Sequence, residues 1–322
     1  MRLVAARAPT RIDFGGGWTD VPPYSEREGG AVCNVAIARY AIAVVTQSPH
    51  GDSRHDAPAT GLIGAVLSHG GTPRLDVQLS NDFPIAAGLG GSSAAGVALA
   101  AAVATHAGET LDLHALALRS RETEVAEMGI PGGYQDHFAS AFGGALLLSF
   151  SDRIDVDRIP LSTSLAESLA RRCIVVYSGE SRISGDTISA VRDAWLAGEA
   201  RVVNALACMK SLAIEMSSAL RAEDIDTLAT LVDEHWSHQR ALHPSISTPR
   251  IDQIVETARE SGAIGTKALG ASGGGCVLSI AAEGREEELA RALAPLGDGI
   301  VFTIDTAGVS IIEDSQLEPI AS

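Results

Sequence analysis

The sequence predicts an α+β fold with two lobes, and three observations lead to that prediction. Short runs typical of strands alternate along the chain with longer segments of helical spacing. Glycine-rich turns connect the predicted strands and helices in both halves of the chain. The order of strands and helices before residue 150 recurs in outline after residue 165. We therefore expect an N-terminal domain over residues 1–160 and a C-terminal domain over residues 161–322.

The N-terminal half begins with two predicted strands. RLVAARA alternates, AIAVVT is β-branched, and the turn GGGW lies between them. Residues 50–61 are predicted to form a polar loop and LDVQLS a strand, followed by the glycine loop of PIAAGLGGSSAAG and a helix from Ser92. A second helix is expected over Leu111–Met128, with Asp112 as its N-cap. The half ends with a strand at GGALLLSF, followed by SDRIDVDRIP, which is predicted to be a solvated turn or a domain boundary.

The C-terminal half begins with a predicted buried strand, RCIVVYSG. Three helices are expected next, over residues 185–221, 223–242 and 248–262. The segment GTKALGASGGGCVLSIAA is predicted to be a strand, a glycine loop and a strand. A helix over Arg285–Leu296 and a strand at GIVFTIDTAG complete the half.

Composition excludes several classes of protein. With 46% hydrophobic and 20% charged residues, the chain is typical of a soluble globular protein. It has no apolar run long enough to span a membrane and no predicted signal segment, so we expect a cytoplasmic protein without membrane contact. The net charge of −16 argues against nucleic acid as a partner. The four cysteines are too far apart for a zinc or disulfide framework, and we predict buried free thiols.

The glycine loop before Ser92 does not match either common phosphate-binding pattern. No lysine follows the glycines, as a P-loop requires, and Ser93 takes the place of the third glycine of a dinucleotide fingerprint. The physical basis of phosphate binding still applies, because loop N–H groups and the positive end of the next helix attract anions. Taken alone, the stretch is equally consistent with a serine N-cap after a flexible turn.

Four stretches in order decide between these interpretations. PTRIDFGGGWTD, PIAAGLGGSSAAG, ETEVAEMGIPGGYQDHFASAFGG and KALGASGGGCVLSI span residues 9–280. Together they resemble the motifs of the GHMP kinases, a family that includes galactokinase, homoserine kinase and mevalonate kinase. The resemblance implies a two-lobed fold with an N-terminal ATP-binding lobe, a ferredoxin-like C-terminal lobe and an active site between them. It also implies ATP and Mg²⁺ as cofactors, and phosphoryl transfer to an alcohol.

The resemblance assigns roles to individual residues. Asp136 is expected to be the catalytic base, with Arg11 beside it, and Ser93 and Glu124 to hold Mg²⁺. The expected ATP-binding residues are Pro84, Gly88, Leu89, Gly90, Gly91, Ser92, Ser93 and Ala94. The expected acceptor-binding residues are Trp18, Thr19, Asp20, Gly133, Arg182, Gly273, Gly274 and Gly275.

A purely structural role is possible for several of these residues. Glu124 could be a solvated helix residue, Asp136 a loop cap and Arg11 a surface strand residue, while Trp18 could belong to the core. Tyr24 and Asn34 are further candidates for the rim of the acceptor site. The histidines His235, His238 and His243 do not have the spacing of a known metal site, and Mg²⁺ prefers oxygen ligands, so we predict no metal there.

The acceptor is expected to be a sugar or sugar phosphate. The run RIDFGGGWTDVPPYSEREGGAVCNVAI resembles kinases that phosphorylate the anomeric hydroxyl, namely heptose 7-phosphate kinases and L-fucokinases. The chain differs from the heptose kinases at Asp13 and Trp18, where it follows the fucokinase pattern. A phosphate on the acceptor would need basic residues, for which Arg182 and Arg39 are candidates.

Two functions without catalysis are also compatible with parts of the sequence. A sugar sensor would keep the fold and the ligand sites but lack turnover, and a scaffold would leave the ligand-type motifs unexplained. The presence of Ser93, Glu124 and Asp136 favours a kinase over both. We expect this kinase to be a monomer or a homodimer.

Overall fold

The computed structural model describes residues 3–47, 60–69, 75–127, 129, 132–180 and 185–312. Its strands are β1 Leu3–Gly15, β2 Gly30–Gln47, β3 Leu75–Asn81, β4 Ala145–Phe150, β5 Ile154–Ile159, β6 Cys173–Tyr177, β7 Ala263–Ala268, β8 Cys276–Ala281, β9 Asp298–Ile300 and β10 Ser310–Ile312. Its α-helices are α1 Tyr24–Arg27, α2 Thr60–His69, α3 Gly91–Ala107, α4 Leu113–Glu122, α5 Gln135–Phe142, α6 Thr163–Arg172, α7 Gly185–Leu196, α8 Ala200–Arg221, α9 Ile225–Leu242, α10 Pro249–Glu260 and α11 Glu286–Leu293. A π-helical turn covers Thr123–Glu127, and 3₁₀ turns cover Pro244–Ile246 and Ala294–Leu296.

The first sheet is antiparallel and has six strands. Its strand order is β10-β1-β2-β4-β5, with β3 pairing with the far part of β2. Helix α3 packs against β1 and β2. It is alanine-rich and buried along most of its length, so its backbone approaches the sheet closely. Because β10 pairs with β1, residues Ser310–Ile312 return to the sheet that the N-terminal half builds.

The second sheet has four antiparallel strands in the order β7-β8-β6-β9. Numbered along the chain, this is the four-one-three-two order of a ferredoxin-like sheet read from the other edge. Helices α9 and α10 pack against β7. The predicted α+β class and ferredoxin-like second lobe are therefore confirmed, while the boundary between residues 160 and 161 stays a prediction.

One apolar core joins the two sheets. Ile12 and Phe14 of β1 belong to the same buried cluster as Met216 of α8 and Leu278 of β8. The backbone at Gly15 lies so close to Met216 that a Cβ on this glycine would be 2.6 Å from the methionine sulfur. This contact holds the first strand, and the residues that follow it, against the second lobe.

Several sequence-based predictions of local structure are wrong. SDRIDVDRIP is not a turn throughout, because Ile154–Ile159 form β5 on β4. Ile154 and Val156 pack against one core cluster, and Ile159 is buried in the other. The helix expected over residues 185–221 is split between α7 and α8, where Gly198 has a φ of +73°. The strand expected at GIVFTIDTAG is limited to β9 and an isolated bridge at Ile304. Cys208 is exposed rather than buried, whereas Cys33, Cys173 and Cys276 are buried.

Two further differences concern residues 48–69 and helix α4. The sequence patterns do not predict helix α2, and the rest of the polar loop expected at residues 50–61 lies outside the described residues. Helix α4 has the expected N-cap, because Asp112 Oδ1 accepts a hydrogen bond from the Ala115 N–H at 2.7 Å. It ends at Glu122, earlier than predicted, and the π-helical turn follows. Among the described helices, none has both the length and the hydropathy needed to cross a bilayer.

Candidate active site

A cavity of ≈ 760 Å³ lies between the glycine loop that precedes α3 and the second lobe. Strand β1 contributes Arg11 and Asp13 to its wall, and α5 contributes Gln135, Asp136 and His137. The loop over residues 83–93 forms a third side, and Gly270 and Ala271 of the second lobe form a fourth. The cavity wall therefore contains residues from all four sequence motifs, although the fourth motif contributes only Gly270 and Ala271.

The glycine loop ends in an uncapped helix N-terminus. Gly90 is the N-cap of α3, with a φ of +74° that favours glycine, and no side chain in the described residues caps the first turn. The interpretation of this stretch as a serine N-cap is therefore wrong, and the helix begins at Gly91 rather than Ser92. The free N–H groups and the helix dipole make this turn suited to an anion such as a phosphate.

Arg11 and Asp136 form a short ion pair at the centre of the cavity. The Nε and Nη2 atoms of Arg11 both lie 2.7 Å from Asp136 Oδ1, and Nη1 donates to the Gly88 carbonyl at 2.6 Å. Arg11 is buried, so its interpretation as a surface strand residue is wrong. Asp136 lies in the first turn of α5, 28% exposed to the cavity, and caps no loop. One guanidinium thus connects the glycine loop to the carboxylate.

Gly90 brings the glycine loop against this carboxylate. A Cβ at Gly90 would be 3.1 Å from Asp136 Cβ and Cγ and 3.2 Å from Oδ2. The sequence alone does not reveal this contact, because the two residues are 46 positions apart along the chain. Asp136 Oδ2 therefore lies beside the glycine turn at the start of α3.

Two hydroxyls and a carboxylate meet at the start of α3. Ser92 Oγ donates to Glu124 Oε1 at 2.6 Å, and Ser93 Oγ lies 3.2 Å from Glu124 Oε2. Burial opposes the charged form of Glu124, but hydrogen bonds from His137, Ser92 and Ser93 outweigh it and leave the pKa lowered. The Glu124 side chain is only 13% exposed, so its interpretation as a solvated helix residue is wrong.

This oxygen set fits Mg²⁺. The described residues contain no group of three or more His, Cys, Asp or Glu side chains placed to hold a metal. Mg²⁺ commonly takes only one or two protein oxygens and completes its coordination with substrate phosphates and water. His137 also contacts Glu124, which the sequence does not indicate. Its Nε2 lies 3.0 Å from Glu124 Oε2, and its Nδ1 lies 2.9 Å from Ser120 Oγ.

Asp20 is buried beside the N-terminus of α5. Its Oδ2 accepts hydrogen bonds from the N–H groups of Tyr134 at 2.8 Å and Gln135 at 3.0 Å. Burial and the charges of Asp136 and Asp13 raise its pKa to about 6, although the two N–H groups lower it. Gly133 lies against it, since a Cβ there would be 1.9 Å from Asp20 Oδ2. The predicted acceptor residues Asp20 and Gly133 are thus in contact.

Trp18 lies between the cavity and the core. It is 8% exposed and packs in an apolar cluster with Tyr24, so it belongs to the core. It also lines the cavity, and its role in acceptor binding stays a prediction. Its φ is +79°, which is strained for a bulky side chain. Thr19 faces inward instead, because its hydroxyl bonds to the carbonyls of Gly16 and Ala31.

Other predicted acceptor residues lie away from the cavity. Gly273 donates to the Ile246 carbonyl at 2.9 Å, Gly274 packs on Glu180, and a Cβ at Gly275 would be 2.8 Å from the Ala87 carbonyl. This glycine motif therefore supports the back of the first glycine loop rather than lining the cavity. Arg182 lies outside the described residues.

The rim candidates Asn34 and Tyr24, and the phosphate candidate Arg39, do not line the cavity. Asn34 is fully buried away from the cavity, and Tyr24 packs edge-on against Trp195. Arg39 bonds to the Val301 carbonyl and pairs with Asp82.

His235 is buried, which lowers its pKa well below the usual value, and its Nε2 accepts the Gly16 N–H at 2.9 Å.

Comparison with known proteins identifies the family. Residues 59–144 match the GHMP kinases N terminal domain, and residues 216–297 match the GHMP kinases C terminal domain, together more than half of the chain. The chain belongs to the GHMP kinase family. As a GHMP kinase it is an ATP-dependent phosphotransferase that acts on an alcohol group.

Two curated relatives and one solved structure illustrate the similarity of this GHMP kinase. It is 26% identical to D-glycero-alpha-D-manno-heptose 7-phosphate kinase of Campylobacter jejuni subsp. jejuni, over 91% of this chain and 94% of that protein. It is 24% identical to L-fucokinase/L-fucose-1-P guanylyltransferase of Bacteroides fragilis, covering 87% of this chain but 35% of that protein. A D-glycero-D-manno-heptose 1-phosphate kinase from Bacteroides thetaiotaomicron has the same fold, with a TM-score of 0.79, 23% identity, and coverage of 96% and 99% of the two chains.

Proposed function

We propose that this GHMP kinase transfers the γ-phosphoryl group of ATP to the anomeric C1 hydroxyl of a sugar or sugar phosphate, with D-glycero-D-manno-heptose 7-phosphate as the first candidate. The observation that carries the proposal is the Arg11–Asp136 pair, which joins a carboxylate base to a phosphate-binding turn inside one cavity. The heptose 7-phosphate kinase relative of similar length supports the choice of acceptor.

In this proposal Asp136 takes the proton of the attacking hydroxyl. Both contacts of Arg11 with Asp136 are made to Oδ1, which leaves Oδ2 available, so we assign proton transfer to Oδ2. Arg11 keeps the carboxylate in place and supplies positive charge where the phosphoryl oxygens develop negative charge. The N–H groups at the start of α3 hold the phosphates.

Ser93 and Glu124 are the residues that would hold Mg²⁺, with Ser92 and His137 positioning the glutamate. Bound there, the ion would neutralise phosphate charge during transfer. Phosphoryl transfer depends mainly on positioning and charge neutralisation, and these residues provide both.

The charges in the cavity favour an acceptor without a carboxylate. Asp13, Asp20 and Asp136 all line it, and Arg11 is the one arginine or lysine in the described part of its wall. Because Arg11 is already paired with Asp136, a carboxylate on the acceptor would have no partner there and would lie among four carboxylates, since Glu124 also lines the cavity. A polyhydroxylated acceptor instead offers donors to these carboxylates.

The same observation favours a second candidate, a free sugar such as L-fucose. A phosphate on the acceptor would need a cation beyond Arg11, and a free sugar would not. The relative from Bacteroides fragilis supports this candidate, as does the presence of Asp13 and Trp18 in this chain.

The test is an ADP-release assay with Mg²⁺ over free hexoses, L-fucose, D-glycero-D-manno-heptose 7-phosphate and related sugar phosphates. Phosphorus NMR of each product locates the new phosphate. We expect it at C1; a phosphate at any other position would overturn the anomeric assignment.

The assignment of the base has its own prediction. Asp136→Asn should lower kcat about 10²–10⁴-fold, because general-base assistance is lost, while ATP still binds. The matched control is Asp112→Asn, which alters an exposed N-cap outside the cavity and should leave kcat unchanged. Near-normal kcat in the Asp136 variant would exclude this residue as the base.

A further inference from the structure

Three side chains in the cavity wall each bury a polar atom that has no hydrogen-bond partner among the described residues. These atoms are Asp13 Oδ1, Gln135 Oε1 and Trp18 Nε1. Buried polar atoms in native proteins almost always have a partner. Such atoms also occur away from the cavity, in Asn34 and Trp236 for example. Among those of the described residues, Asp13 Oδ1 is the one carboxylate oxygen, and a charged oxygen is the costliest to leave without a partner. Its place in the cavity wall points to a bound ligand as the missing hydrogen-bond donor.

The three residues surround the same end of the cavity. Gln135 donates its backbone N–H to Asp20, and the charge of Asp13 contributes to the raised pKa of Asp20. Gly17 lies against both, since a Cβ there would be 2.6 Å from Asp13 Oδ2 and 2.9 Å from Gln135 Nε2. We call this part of the wall, which includes the predicted acceptor residue Asp20, the acceptor end.

Asp13 is held in place by a lysine from the second lobe. Lys267 Nζ lies 3.0 Å from Asp13 Oδ2 and donates to the Asp13 carbonyl at 3.0 Å. The side chains are 0% and 3% exposed. Burial lowers the pKa of Lys267, whereas the Asp13 charge raises it. The lysine satisfies Oδ2 alone and leaves Oδ1 free.

We propose that Asp13 determines acceptor specificity by accepting a hydrogen bond from one acceptor hydroxyl through Oδ1, and that Lys267 positions it. The inference rests on the proposed function, and it adds a second recognition carboxylate beside Asp20. A buried carboxylate oxygen discriminates strongly between sugars, because a sugar without the matching hydroxyl leaves Oδ1 without a hydrogen bond. The ligand is a neutral polyol at this end, with its hydroxyl pointing toward β1.

The test measures the binding of D-mannose, L-fucose and D-glycero-D-manno-heptose 7-phosphate by calorimetry without nucleotide. The tightest ligand is then compared with each of its monodeoxy analogues. In the wild type, one deoxy position should weaken binding about 10–100-fold. In Asp13→Asn, the parent sugar should bind about 10–100-fold more weakly, and removing that same hydroxyl should have almost no further effect.

Two variants separate recognition from folding. Asp13→Asn leaves Lys267 buried without its counter-charge, so Asp13→Asn/Lys267→Met, which removes both charges, is measured in parallel. The matched control is Asp233→Asn. Asp233 accepts the Thr266 N–H, next to Lys267 on β7, but does not line the cavity. In the Asp233→Asn variant, the deoxy analogue should bind more weakly than the parent sugar by the same factor as in the wild type.

The outcomes distinguish this inference from the proposed function. Sugar binding with the deoxy pattern but without ADP release would support Asp13 and exclude the kinase reaction at C1. Turnover with equal deoxy penalties in wild type and both Asp13 variants would leave the kinase function intact and overturn the role of Asp13. Binding of none of the three sugars would overturn it as well.

Discussion

Asp20 is a buried carboxylate whose ionisation is opposed by its surroundings, and its proposed role in acceptor binding would account for its presence there. Its carboxylate is almost fully enclosed, close to two other carboxylates, and its pKa is raised to about 6. At neutral pH it is nevertheless ionised, which is unfavourable for folding and favourable for accepting sugar hydroxyls. The two N–H groups at the start of α5 compensate in part.

The unfavourable burial of the ionised Asp20 carboxylate predicts that the stability of the fold depends on pH. The pKa of Asp20 is raised from an ordinary value of 3.8, so Asp20 stays protonated to a higher pH in the folded chain than in the unfolded one. Ionisation therefore destabilises the fold as pH rises through the interval from about 4 to about 6. Relative to Asp20→Asn, which imitates the protonated form, the wild type should lose roughly 3 kcal/mol of unfolding free energy across that interval. Urea unfolding at several pH values measures the difference, and a constant difference would contradict the prediction.

At the scale of elements, the glycine loop and α5 are fitted to each other through Gly90 and Asp136. Gly90→Ala places a methyl group 3.1 Å from the Asp136 side chain, so the carboxylate must shift by a few tenths of an ångström. We expect kcat to fall roughly tenfold, because small displacements of a reacting group are costly. Steady-state ADP release measures this change.

Helix α3 provides a matched control at its other end. Gly108 has the same φ of +74°, but a Cβ there meets nothing within 4 Å. Gly108→Ala should therefore carry a similar backbone strain, about 1 kcal/mol, with unchanged kcat. Equal effects of the two substitutions on kcat would show that the contact with Asp136 is unimportant.

The sequence predicts the elements better than it predicts their contacts. Apolar patterns identify α9 and the buried strand β6, and the glycine loop indicates the start of the alanine-rich helix α3. These patterns do not identify β5, whose outward aspartates suggest a turn, or helix α2. The motif resemblance brings Arg11, Glu124 and Asp136 to one cavity. It places the Gly273–Gly275 loop in the cavity wall, whereas the structure has it behind the first glycine loop.

Contacts between distant positions are the part that sequence reasoning cannot supply. The Asp13–Lys267 pair joins β1 to β7, and neither residue has a pattern in the chain that indicates the other. His137 likewise reaches Glu124 only because α5 and the π-helical turn are adjacent in space. Burial and pairing depend on tertiary packing, and a single sequence does not encode them locally.

At the scale of the whole molecule, the two lobes share one core and should unfold together. The cluster that contains Ile12 of β1 also contains Leu278 of β8, and Met216 of α8 is fully buried within it. The glycine loop adds a backbone link, because the Cys276 N–H donates to the Ala87 carbonyl at 2.7 Å. A cavity built from both lobes keeps its geometry only if the lobes are thermodynamically coupled.

Met216→Ala tests this coupling. Truncation of the buried side chain should lower the unfolding free energy by about 2–5 kcal/mol, because it removes apolar contacts and leaves a void beside Gly15. Calorimetry should still record one transition at a lower temperature, since both lobes lose the same core. The matched control is Ile214→Ala on the same helix, where the side chain is 46% exposed and the loss should be well under half as large. Two separate transitions in Met216→Ala would mean that the lobes fold independently and that the shared core does not couple them.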